Sequence, residues 1–236
     1  MAKKKNRKRI IQTVARKLVT SANSKSIVTE QFRTLRTNIN FSMPDKEIKT
    51  FLFTSSSPGE GKSTIAANAA VVFAQEGKRV LLVDADMRKP TVHYTYHVTN
   101  TIGLSNLLTR QATLEEVVKD TEIENLQIIT CGPIPPNPAE LVGSQTMDRM
   151  IDEMKEKYDV IIFDAPPVLS VADAQILSNK ADGTILVMSA GETEKTEILK
   201  AKEALVSSNA NIIGVVLNNF ELSKDHYYYQ YYGNVE

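Results

Sequence analysis

The chain predicts an α/β fold, a mostly parallel sheet flanked by helices, and three observations carry that expectation. An apolar run, Phe51–Phe53, leads into a Gly-rich loop and then a helical pattern, Ile65–Gln75, that closes at Gly77. From residue 50 onward, apolar strand-like runs alternate with helical periodicities, as the crossovers of a parallel sheet require. Two of those runs, Arg79–Asp84 and Tyr158–Asp164, end in an acid, at the strand edge where parallel sheets bind ligands. At 236 residues, this amounts to one α/β unit of ordinary size with a core large enough to stand alone.

Composition narrows the class further. Cys131 is the only cysteine, so no intrachain disulfide is expected, a reducing compartment fits best, and no Cys/His metal spacing is present. Apolar runs stay far below the ~18–20 residues of a membrane span, and no apolar segment of the signal-peptide kind follows the basic start. The expectation is a cytoplasmic protein. Zero net charge hides an asymmetry, because Met1–Lys17 carries eight Lys/Arg and no acid. Residues 1–25 therefore read as a flexible basic arm. Such an arm suits an anionic surface, either the inner leaflet of a membrane or a nucleic acid, and equally suits a solvated tail with no partner.

The folded unit is expected over residues 26–220. Ser26–Asn40 has apolar Ile27, Phe32, Leu35 and Ile39 at helical spacing, with Glu30, Arg33 and Arg36 on a second stripe. A turn signal at Pro44–Asp45 precedes the first strand, Thr50–Thr54, and Arg79–Asp84 forms the next. Helices are predicted at Thr101–Leu108 and Thr113–Lys119, a strand at Leu126–Thr130, a Pro-rich loop at Gly132–Pro138 and one helix over Ala139–Lys157. After the acid-ended strand Tyr158–Asp164, the pattern gives a helix at Ala172–Asn179 and a strand at Gly183–Ser189. A helix at Glu194–Ser208 and a last strand, Ile212–Leu217, complete it. Residues 221–236 form a tail holding five of the eight tyrosines: Tyr227, Tyr228, Tyr229, Tyr231 and Tyr232. Neither a period of two nor one of three and a half buries all five on one face.

The chemistry concentrates in Thr54–Thr64. Ser57, Pro58, Gly59, Glu60 and Gly61, followed by Lys62, Ser63 and Thr64, nearly satisfy G-x-x-x-x-G-K-[ST], with Ser56 in the place of the first glycine. Small residues let successive N–H groups turn toward one point, and the helix start adds partial positive charge, so the segment suits a phosphate. Lys62 would reach the outer phosphates and Ser63 would offer its hydroxyl to Mg²⁺. Asp84 and Asp86, two apart in extended chain, point the same way, and a cation is the natural third party between two carboxylates. Asp164 at the other strand end can join them. Asn218 and Asn219 follow the last strand at the same edge, where either adenine recognition or a simple turn would account for them.

Ser57–Thr64, Leu82–Pro90 (Leu-Val-Asp-Ala-Asp-Met-Arg-Lys-Pro), Ile161–Asp164 and the terminal tyrosine cluster together resemble the bacterial tyrosine kinases of capsular and exopolysaccharide biosynthesis. The likeness is to the Gram-positive form, in which the cytoplasmic kinase is a separate polypeptide. The resemblance implies a P-loop ATPase fold with the three segments as Walker A, A′ and B, and ATP and Mg²⁺ as cofactors. It places Lys62 on the phosphates, Ser63, Asp86 and Asp164 at the metal, and Asp84 or Asp86 as base toward the incoming tyrosine. It implies autophosphorylation of the tail between subunits and an octameric ring built through Glu30, Arg33 and Arg36. Its implied partners are a transmembrane adaptor that recruits the chain to the membrane and a tyrosine phosphatase, with no nucleic acid among them. The rival expectation is a nucleotide-switching ATPase of the partitioning and septum-placement kind. Those proteins share the A′ and B segments but carry a lysine where Ser57 stands and lack the tyrosine tail.

Overall fold

The computed structural model describes residues 16–42 and 48–221. A seven-stranded sheet runs through the molecule in the order β3-β4-β2-β5-β1-β6-β7. Its strands are β1 (Thr50–Ser55), β2 (Val80–Asp84), β3 (Val118–Asp120), β4 (Leu126–Ile129), β5 (Val160–Asp164), β6 (Gly183–Ser189) and β7 (Ile212–Asn218). All neighbouring pairs are parallel except β3 against β4. Strands β1, β2 and β5 are buried at every residue, which is why they read as continuous apolar runs: both faces of a parallel sheet are covered.

The helices are α1 (Val19–Ala22), α2 (Ile27–Phe41), α3 (Lys62–Ala74), α4 (Val92–Thr95), α5 (Leu104–Leu108), α6 (Leu114–Val117), α7 (Pro138–Gly143), α8 (Gln145–Lys157), α9 (Asp173–Lys180) and α10 (Lys195–Ser207). Helix α3 is buried from Ile65 to Ala74 on all sides, so it needs cover on all sides. One side packs on Phe51, Phe53, Leu82 and Ile162 of the sheet, and the outer side is capped by Phe32 and Ile39 of α2. Phe51 and Phe73 stack with ring centroids 5.9 Å apart. The opposite sheet face, with Leu52, Leu81, Ile161 and Phe163, packs on Met147 and Met154 of α8, Leu177 of α9 and Leu205 of α10.

Several expectations need correction. The single helix expected over 139–157 is two, because Ser144 leaves the helical region (ψ 155°) and its Oγ accepts the Met147 N–H at 3.3 Å, starting α8 afresh. The helix expected over 113–119 stops at Val117. Val118–Asp120 instead pairs antiparallel with β4, and Lys119 Nζ donates to Ile102 O and Thr130 Oγ1 at 2.8 and 3.2 Å. The short helix α4 had no counterpart in the expected elements. Residues 16–25, expected within the flexible arm, include α1, whose Thr20 is fully buried against α3. The remainder of the arm and the five tail tyrosines lie outside the described residues.

Candidate active site

The Gly-rich loop connects β1 to α3, beside the switch point where the chain returns to lay β5 between β1 and β2. Gly59 and Gly61 both sit at φ +95°. At Gly61 a second constraint applies, because a Cβ there would come within 2.0 Å of Asn218 Nδ2. Ser56 is absent from the positive-φ residues, so glycine is not required where the motif departs. Its hydroxyl has other work: Ser56 Oγ donates to Glu60 Oε1 at 2.7 Å, Ser57 N to Glu60 Oε2 at 3.1 Å, and Thr193 Oγ1 to Glu60 Oε1 at 2.6 Å. Asn218 Nδ2 donates to Glu60 O at 3.0 Å. Glu60 thus ties the loop to the exits of β6 and β7 from behind.

In front of the loop the acids converge. Asp84 and Asp164 are register partners across β2 and β5. Lys62 Nζ donates to Asp164 Oδ1 at 3.1 Å, to Asp86 Oδ2 at 3.2 Å and to Ser63 Oγ at 3.2 Å. Asp86 Oδ1 accepts the Lys89 N–H at 3.0 Å, while Asp84 Oδ2 accepts those of Thr91 and Val92 at 3.0 and 2.9 Å. Burial alone would lower the Lys62 pKa, but the Asp164 and Asp86 carboxylates outweigh it and hold the ammonium above its usual value. Burial, reinforced by the charge of Asp164, pushes Asp84 well above the usual carboxylate range.

A cleft of about 690 Å³ opens over this cluster. Pro58, Gly59, Gly61, Lys62, Ser63, Thr64, Asp86 and Asn218 line it. Asp84 and Asp164 lie beneath, fully buried or nearly so, and Ser57 and Glu60 form the back of the loop. Three contributors were given no role by sequence reasoning. Arg16 enters the cleft wall from the N-terminal segment. Arg88 is clamped by two 3.0 Å bonds to Asp173, a buried acid at the start of α9. Thr193 reaches Glu60 across 133 positions of sequence. Only Arg88 was visible beforehand, inside the Leu82–Pro90 segment. The helix-edge triad divides: Glu30 and Arg33 pair with each other at the surface, whereas Arg36 turns inward, donating to Val72 O at 2.8 Å and facing Glu76 at 3.6 Å.

The donor set suits Mg²⁺. Asp84 Oδ1 and Asp164 Oδ2 are buried without a hydrogen-bond partner among the described residues, near the Ser63 hydroxyl and an amine that shares two carboxylates. Among the described residues no three His, Cys, Asp or Glu side chains enclose an ion by themselves. Mg²⁺ does not need them to, since it takes one or two carboxylates and completes its shell with phosphate and water.

These features define a P-loop nucleotide-binding fold, and residues 46–201 match the AAA domain family. The septum site-determining protein MinD of Pyrococcus horikoshii OT3, solved with Mg-ADP, superposes with a TM-score of 0.64 at 26% identity, over 75% of this chain and 72% of that one. Likeness to tyrosine kinases is much stronger. Tyrosine-protein kinase YwqD of Bacillus subtilis (strain 168) is 50% identical over 233 residues, covering 99% of this chain and 97% of that protein. Putative tyrosine-protein kinase CapB of Staphylococcus aureus is 42% identical over 89% of this chain and 92% of its own length. The chimerical protein CapA2B2 superposes with a TM-score of 0.84 at 42% identity, covering 88% of this chain and 93% of that one. The chain belongs to the bacterial tyrosine-protein kinase family.

Proposed function

We propose that the chain is an ATP- and Mg²⁺-dependent tyrosine autokinase that phosphorylates Tyr227, Tyr228, Tyr229, Tyr231 and Tyr232 on a neighbouring copy of itself and thereby regulates polysaccharide polymerisation and export. The observation that carries this reading is the Lys62–Asp86–Asp164 cluster at the loop end, beside the buried Asp84 Oδ1 and Asp164 Oδ2, which have no hydrogen-bond partner among the described residues. In the transfer, the bond between the γ-phosphorus and the bridging oxygen of ATP breaks and a bond from the phenolic oxygen to phosphorus forms. ADP leaves, and the phenol proton passes to a carboxylate. Bound Mg²⁺ would neutralise charge on the phosphate oxygens. Lys62 exchanges its carboxylate partners for phosphate oxygens, Asn218 stands at the nucleotide end of the loop, and the loop N–H groups orient the chain of phosphates. A phenol has a pKa near 10, so its proton passes late in the transfer to a carboxylate, either Asp84 or Asp86. Among the described residues no helix is long and apolar enough to cross a membrane, which fits recruitment there through a separate transmembrane adaptor.

Lys62→Met tests the reading. It is expected to reduce tail phosphorylation by about 10²–10³-fold or more while the melting profile persists, read by mass spectrometry after incubation with Mg-ATP and an adaptor's cytoplasmic tail. Normal labelling would overturn it, and chelating the metal should silence the wild type. Mixing Lys62→Met chains with active chains lacking residues 225–236 should label the former, as transfer between subunits requires.

A further inference from the structure

We propose that Arg16 is a phosphate contact in the acceptor half of the cleft, held there by the docking of residues 16–22 on α3. This rests on the cleft being the phosphoryl-transfer site. Arg16 lines the cleft, and its Nε is buried with no hydrogen-bond partner among the described residues. The other cations of the wall are accounted for. Lys62 holds Asp86 and Asp164, Arg88 holds Asp173, and Lys89 is exposed to solvent. Arg16 alone combines partial burial with the lack of any carboxylate among the described residues. A guanidinium so placed is a planar donor fork suited to a phosphate.

The segment that carries it is fixed with care. Asn68 lies fully buried in the middle of α3. Its Oδ1 accepts from Thr20 N and Thr20 Oγ1 at 3.1 and 2.9 Å, and its Nδ2 donates to Lys17 O at 2.8 Å and Thr64 O at 2.9 Å. That is the full capacity of an amide, and three of the four bonds go to Lys17 and Thr20, one and four positions beyond Arg16. The fourth ties the anchor to the first turn of α3, two positions from Lys62. Arg16 N itself donates to Thr95 Oγ1 at 3.1 Å.

Position within the cleft selects the ligand. Thr95 ends α4, the helix whose first N–H groups bind Asp84. Arg16 therefore stands on the β2 side, with the strand-end acids. Asn218 ends β7, and strands β5, β1 and β6 lie between β2 and β7. The anion meeting Arg16 is thus a phosphate at the reacting end of the cleft, carried either by ATP as its terminal group or by the acceptor as phosphotyrosine.

The full-length chain and its Arg16→Gln and Arg16→Lys variants decide it, using ATP, ADP and free phosphotyrosine as probes, with Lys62→Met as the inactive control. Arg16→Gln should keep ADP affinity within about twofold while its single-turnover transfer rate falls about 100-fold, and Arg16→Lys should recover part of the loss. If the contact is to ATP, the ratio of ATP to ADP affinity falls about tenfold. If it is to the product, inhibition by phosphotyrosine weakens instead. All readouts within twofold of wild type would overturn the proposal. Equal losses for ATP and ADP with a lowered melting temperature would also overturn it, by showing a role in folding alone. If the wild type transfers no phosphate, the kinase reading fails, while the nucleotide and phosphotyrosine binding arms still decide Arg16.

Discussion

Asp159 shows how much one side chain can fix at the far edge of the sheet. It accepts from Arg79 N, Nε and Nη2 at 2.9, 3.2 and 2.7 Å, joining the starts of β2 and β5. Those bonds from Arg79 hold its carboxyl at about 2. A carboxyl with a depressed folded-state pKa contributes stability that is present above its unfolded value near 3.9 and lost as pH falls through about 2. Asp159→Asn should therefore lower the melting temperature at pH 7, by a modest amount because the pair is exposed, and the difference from wild type should shrink between pH 4 and pH 2. A difference constant with pH in thermal melts would refute this account. Gly59 and Gly61 offer a matched pair at the same scale. Both have φ +95°, but only Gly61 faces an obstruction. Gly59→Ala should cost about 1 kcal/mol from the backbone alone. Gly61→Ala should cost more and should also weaken nucleotide binding, because Asn218 has to move; equal losses in chemical denaturation would argue against it.

At the scale of elements, the central strands and the acids at their ends were legible in the sequence because burial on both faces leaves an unbroken apolar run and the acid marks where it stops. Lys62, Ser63, Asp84, Asp86 and Asp164 follow from that pattern. Helix breaks were less legible. Ser144 is a good N-cap, but apolar residues recur at helical spacing within the segments on both sides of it, so periodicity reads one helix across the break. Val118–Asp120 satisfies a helix pattern locally and is claimed by β4 because backbone pairing there also satisfies the Lys119 amine. Thr193 to Glu60 and Arg16 to the cleft wall were out of reach altogether, since neither pairing leaves a mark in local spacing. The Arg36 side chain illustrates the same limit: its stripe on α2 was visible, but its turn toward Val72 O depends on α3.

On the scale of the whole molecule, the proposed function would couple the surface to the site through the tail. On the proposed reading, an unmodified tail tyrosine is expected to occupy a neighbour's cleft and to add to contacts from the exposed Glu30–Arg33 edge of α2. Each phosphate brings about −1.5 to −2 charges, so a tail carrying several is expected to leave the acid-floored cleft even where a single phosphate can meet Arg16, and exposed ion pairs worth about 0–1 kcal/mol each would be left to hold the assembly. The unphosphorylated Lys62→Met chain is expected to run as a large oligomer and the phosphorylated wild type as a monomer. Light scattering after size exclusion checks this, and equal masses would refute the cycle without touching the catalytic reading.

The place of β1 in the middle of the sheet also sets a timetable for birth on the ribosome. Its partners are β5 and β6, with Thr50 opposite Ile161 and Phe51 opposite Gly183, more than a hundred residues downstream. At about 5–20 residues per second, the strand that leads into the phosphate loop waits roughly 5–20 s after synthesis before either neighbour exists. During that interval Leu52, Phe53 and the apolar sides of α3 have no sheet to enter. Nascent chains arrested before residue 160 should bind chaperones and retain no nucleotide, and competence should arrive in a single step once β7, with Asn218 at its end, has cleared the exit tunnel.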